Sequence, residues 1–103
     1  MTNHYHPPIK NIESQSSIYF DGSQSSTGAA YVEEISGNFN ARIYIEHANN
    51  GSFERISQFP TARLQYSWHT TDINMKLIEN SRRICITNTS TDSGVVEIIG
   101  EEI

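Results

Sequence analysis

Apolar positions along this chain recur with a period of two far more clearly than with the period of a helix. From Phe39 to Glu46, the residues Phe39, Ala41, Ile43 and Ile45 alternate with Asn40, Arg42, Tyr44 and Glu46. That is the pattern of a strand with one face in a core and the other toward solvent or a partner. Asn49-Asn50-Gly51-Ser52 reads as a hairpin turn, because Asn and Gly tolerate positive φ, and Phe53 to Phe59 returns as the partner strand before Pro60 closes the unit. The same grammar predicts strands at Ile12 to Phe20, Ala29 to Ile35, Ala62 to His69, Ile73 to Ile78, Arg83 to Asn88 and Val95 to Ile99. Turn-forming runs separate them, among them Asp21-Gly22, Ser36-Gly37-Asn38, Asn80-Ser81 and Thr89 to Gly94. About eight short strands at this spacing predict an all-β fold, a single antiparallel β-sandwich of Ig-like or jelly-roll-like kind. No segment sustains a helical period, and no repeat of fixed length is present.

Composition sharpens this reading. The chain has 14 Ile and 3 Val against 2 Leu, and branching at Cβ suits a pleated surface better than a helix. At 103 residues it has the length of one domain with one core. Residues 1–11 read differently from the rest: His4-Tyr5-His6-Pro7-Pro8 lacks apolar alternation, and its prolines fix φ and donate no hydrogen bond. The expectation is therefore an extended N-terminal arm over 1–11, ordered against a neighbouring subunit or shell protein, with the sandwich domain over 12–103.

Charge narrows the partners. The formal net charge is -5, and the seven basic residues are scattered except for the Arg82-Arg83 pair. Direct nucleic-acid binding, which needs a basic stripe, is not expected. The start of the chain carries no secretory pattern and no stretch reaches the ~20 apolar residues of a membrane helix, so synthesis in a cytoplasm and no membrane partner are expected. The one cysteine, Cys85, leaves no internal disulfide and no multi-cysteine zinc site. It sits between Ile84 and Ile86 on the opposite face of its strand, which suits a packed thiol better than a nucleophile.

Little in the chain points to catalysis. His4 and His6 share a face of the arm but have no third ligand. His47 and His69 lack a carboxylate at a triad-like spacing. Glu46 and Glu54 flank the predicted hairpin, where a glycosidase pair is one reading and solvated charges opposite Arg42 and Arg55 the simpler one. Asp21, Asp72 and Asp92 sit in turns, and Asx-turn duty accounts for them without calcium. Asn50-Gly51-Ser52 and Asn88-Thr89-Ser90 match the glycosylation sequon, which has no use without a secretory route. No catalytic residue, metal site or cofactor is expected. Aromatic side chains are the better lead, since Tyr5, Tyr44, Tyr66 and Trp68 would serve as a protein contact or a sugar-stacking platform, with Trp68 also suited to the core. The partner-binding candidates are His4, Tyr5, His6, Ile9, Tyr44 and Tyr66.

Three stretches carry a resemblance. They are Ile35-Ser36-Gly37-Asn38-Phe39 leading into Ala41 to Glu46, then Asn50-Gly51-Ser52-Phe53-Glu54-Arg55-Ile56, and Arg83-Ile84-Cys85-Ile86 leading through Ser93-Gly94 to Val95-Val96-Glu97-Ile98. Together they resemble the small β-sandwich structural proteins of tailed-phage virions, over roughly residues 35–99. Phe53 stands where that pattern commonly has Trp, and Asn-Asn-Gly stands in place of an Asp-Gly-Gly hairpin. The resemblance implies a non-enzymatic virion protein, a capsid decoration or cement protein that binds phage capsid or other virion proteins in a homo-oligomeric or high-copy assembly. The alternative is a carbohydrate-binding or tail/fibre adhesion module that takes a surface glycan.

Overall fold

The computed structural model describes residues 4–47, 50–56, 65–67 and 77–103, with the backbone alone at 65–67. Ten strands follow one another: β1 (His4–Tyr5), β2 (Lys10–Ile12), β3 (Ser17–Phe20), β4 (Ala29–Gly37), β5 (Ala41–Glu46), β6 (Phe53–Arg55), β7 (Gln65–Ser67), β8 (Leu77–Glu79), β9 (Ile84–Asn88) and β10 (Gly94–Glu102). The only helical element among the described residues is a 3-10 turn at Gly22–Gln24, whose first backbone N–H groups are capped by the Asp21 carboxylate. The chain is thus nearly all β, and its strands form two antiparallel sheets. In the larger sheet β10 and β4 run side by side, with β1 and β2 on the outer edge of β10 and β7 and β8 on the outer edge of β4. The smaller sheet has the order β3-β9-β5-β6.

The connectivity has a simple logic. The antiparallel pairs β2·β10, β3·β9, β4·β7 with β4·β8, and β5·β6 are the rungs of one long ribbon whose tip is the β5–β6 hairpin. Rolling that ribbon brings β10 against β4 and β9 against β5, which closes the two sheets. Each strand then turns one face inward. The larger sheet contributes Tyr5, Ile12, Ala30, Val32, Ile35, Ile78, Val96 and Ile98, and the smaller contributes Phe20, Ala41, Ile43, Ile45, Ile84 and Ile86 to a single sandwich-like core. Nearly every large member is Ile or Val, which lose little rotamer freedom on a pleated surface.

Two local features hold the halves together. The predicted strand over Ile12 to Phe20 is broken: Ser14-Gln15 turns the chain from the larger sheet to the smaller, with Gln15 at φ 60. Gln15 donates its backbone N–H to Asn88 (2.9 Å) and its side-chain amide to Thr89 and Ser90, which offsets the cost of that left-handed backbone. Asn88 itself is fully buried, and its amide donates to the carbonyls of Ile12 (3.3 Å) and Asp92 (3.0 Å) and accepts from the Ser90 N–H (2.8 Å). A buried amide satisfied on all these sides ties β9 to β2 across the sandwich.

The N-terminal segment departs from the expected free arm. His4–Tyr5 and Lys10–Ile12 both pair with β10, so these residues belong to the larger sheet. Tyr5 is fully buried, opposite Gly100, and its hydroxyl donates to the Asp21 carbonyl at 2.8 Å. Gly100 is needed on its other side, where a Cβ would come within 2.1 Å of the Tyr31 carbonyl oxygen of β4. Pro7 and Pro8 lie between two very short edge strands, a position where a missing N–H breaks no ladder.

Candidate functional site

The outward-facing side chains of the smaller sheet follow from its register. Tyr19 of β3, Cys85 of β9, Tyr44 of β5 and Arg55 of β6 form one row. Glu46 and Phe53 pair in the next row, beside Arg83, which enters β9 and takes the Glu46 N–H on its carbonyl at 2.9 Å. At this corner the Arg83 guanidinium lies 4.6 Å from the Tyr19 ring centroid and 5.7 Å from that of Phe53. The two rings are 5.9 Å apart and tilted by 53°. Planar Arg stacks on aromatic faces readily, and such contacts contribute about 0.5–1 kcal/mol each at exposed sites.

Glu46 locks this arrangement from below. Its carboxylate, almost wholly buried, accepts from Arg83 Nε at 2.8 Å, from the Arg83 backbone N–H at 3.1 Å and from Arg83 Nη2 at 3.3 Å. These hydrogen bonds from Arg83 hold its carboxyl below the usual carboxylate range against the opposing effect of burial. Meanwhile Tyr19 remains 43% exposed and Phe53 37% exposed, so two aromatic rings stand in solvent around a fixed cation. Burying both rings against a partner would remove apolar area at ~25 cal/mol per Å² with little side-chain entropy left to lose.

The residues singled out by the sequence fall in different places. Tyr44 shares the row with Tyr19 and is half-buried. Tyr5, expected as an exposed anchor, is a core residue, because its register with Gly100 turns it inward. His4, His6 and Ile9 are exposed, His6 lying 2.9 Å from Glu97 on the larger sheet. Tyr66 pairs with Ile35 through its backbone, and its side chain lies outside the described residues, as do Trp68, His69 and Asp72. Among the described residues no three His, Cys, Asp or Glu side chains converge as metal ligands.

The carboxylates that flank the hairpin do not form a pair. Glu46 is in register with Phe53 and Glu54 with Ile45, so they point to opposite faces, and the side chains beside them are Arg83 and His47 respectively. His47, for which the sequence offers no carboxylate at a triad-like spacing, lies 3.0 Å from Glu54 across the hairpin in an exposed pair. Asp21 serves the 3-10 turn by accepting from the Ser23 N–H at 2.8 Å. Cys85 is buried on the outward side of β9 between Tyr19 and Tyr44. Asn88 uses both amide hydrogens in the core, which closes the second sequon to modification.

Sequence reasoning passed over Tyr19, Phe53 and Arg83. Ser17 to Phe20 does alternate, and with Ile18 and Phe20 inward Tyr19 must face out. The meeting of these three residues from β3, β6 and the start of β9 is a property of the rolled ribbon. Comparison of the chain with protein-family models and with curated proteins gives no match.

Proposed function

We propose that this chain is a non-enzymatic virion structural protein, a capsid decoration or cement protein of a tailed phage that binds shell proteins through the outer face of its smaller sheet. The observation that carries the binding reading is the exposed Tyr19–Phe53 pair held around Arg83. Aromatic residues and Arg are the types enriched at the energetic centres of protein interfaces. Here Glu46 fixes the cation before any partner arrives, so docking orders little.

The strand connectivity supports the structural half of the reading. Counting β1 with β2 and β7 with β8 as single positions, the sheets have the orders first-eighth-third-sixth and second-seventh-fourth-fifth. That is the jelly roll, an architecture of viral capsid domains and also of lectins. The step from fold to role is an analogy, and the patch favours the protein partner over the glycan. A sugar platform needs open aromatic faces, whereas Arg83 lies over both rings.

Particles from a producing culture, purified on a density gradient and probed with antibody against this chain, test the proposal. The chain should co-sediment with intact particles at high copy, and Tyr19→Ala with Phe53→Ala should reduce that incorporation. Absence from purified particles would overturn it. So would glycan-array binding that the same two substitutions abolish, which would support the adhesion module.

A further inference from the structure

Charge is divided between the two sheets. Among the described residues, the strands of the larger sheet carry Glu33, Glu34, Glu79, Glu97, Glu101 and Glu102 against Lys10 alone. Register turns Glu34, Glu97 and Glu101 outward, since they pair with Ile99, Ser36 and Tyr31 while Ile35, Ile98 and Val32 face the core. The smaller sheet turns Arg42 and Arg55 outward beside the Tyr19–Phe53 rings, and its one outward carboxylate, Glu46, is held by Arg83. An acidic face and a basic, aromatic face therefore lie back to back on one small domain.

Each face presents its charges as a pair on two adjacent strands. Arg42 and Arg55 are diagonal neighbours on adjacent strands, because Arg55 pairs with Tyr44, two residues beyond Arg42. Glu34 and Glu101 also stand on adjacent strands and on one face, Glu34 opposite Ile99 and Glu101 opposite Tyr31, across the register shift between Ile99 and Gly100. An Arg pair on one copy and a Glu pair on the next supply the charge complementarity that sets partner and orientation at such an interface.

We propose that copies of this chain associate head to tail, the Arg42/Arg55 face of one docking on the Glu34/Glu101 face of the next, with Tyr19 and Phe53 in the buried centre. The proposal takes the docking face from the preceding reading but needs no phage particle for its test. Such an interface is heterologous: each copy uses both faces, so assembly continues into a ring or a column until closure or a different partner stops it.

Sedimentation velocity of the purified full chain, over a concentration series at about 0.05 M and 0.5 M salt, provides the test. The chain should associate at low salt and dissociate at high salt. R42E/R55E and E34R/E101R should each remain monomeric, and their equimolar mixture should associate again, because each supplies the face that complements the other. Circular dichroism melts establish that both variants fold. A chain that is monomeric at every concentration at low salt would overturn the proposal, and so would self-association that E34R/E101R leaves unchanged, the behaviour of a symmetric contact through the aromatic face alone. Either failure leaves the virion reading standing, whereas absence from particles with salt-sensitive association intact would remove only that reading.

Discussion

Ile43 shows how far a single residue's environment follows from its neighbours. It is fully buried, in register with Ile86 and flanked along β5 by the outward Arg42 and Tyr44. Ile43→Ala should cost about 2–5 kcal/mol in a denaturant titration, the range for truncating a fully packed aliphatic side chain. Tyr5 has a different chemistry. Burial, with a smaller contribution from the Asp21 carboxylate, pushes its phenol well above the ordinary value. The unfolded chain loses this proton above pH ~10 while the folded chain keeps it, so the unfolded state binds fewer protons and stability falls as pH rises. Tyr5→Phe should flatten that alkaline decline while costing about 1 kcal/mol at neutral pH through the lost bond to the Asp21 carbonyl. Glu46 runs the other way. Its carboxyl is held low by Arg83, so the stability it contributes is present above pH ~4.5 and is lost as pH falls through the folded value. Acid titrations of Glu46→Gln should show a shallower loss in that window than the parent chain.

At the scale of elements, the corner between β2, β9 and the 90–94 turn depends on the Asn88 amide. Replacing it with Asp should destabilise by roughly 1–3 kcal/mol, measured by chemical denaturation. The carboxylate would face the Ile12 and Asp92 carbonyls with no hydrogen to give either. Leu would fill the volume but strand the same acceptors. The N-terminal strands give a second test. Deleting residues 2–10 removes β1, the first residue of β2 and the buried Tyr5, and exposes part of the edge of β10. The truncated chain should melt well below the parent, where a free arm would leave the melting temperature unchanged. Much of β5, β9 and the β5–β6 hairpin is legible in the sequence, because their alternation and turn chemistry are local. The role of residues 4–12 is not legible, because two strands of two and three residues separated by Pro-Pro are too short to show a period. Their stability comes from pairing with a strand some ninety positions away, and loop closure over such a span leaves no local trace.

For the molecule as a whole, alternation determines which residues of a strand share a face, and the abundance of Ile determines that those faces are sheets and not helices. From these the sequence by itself determines an all-β chain, its principal turns and most of its core. Alternation is silent about which strands become neighbours, since register depends on contacts between segments distant along the chain. The rolled ribbon alone brings Tyr19, Phe53 and Arg83 together and places Arg42 and Arg55 on one outer face and Glu34, Glu97 and Glu101 on the other. It also turns Tyr5 from an apparent anchor into core and moves Glu46 from solvent to the guanidinium of Arg83. The physical reason is that burial and charge pairing are summed over all neighbours in space, whereas periodicity reports only those along the strand.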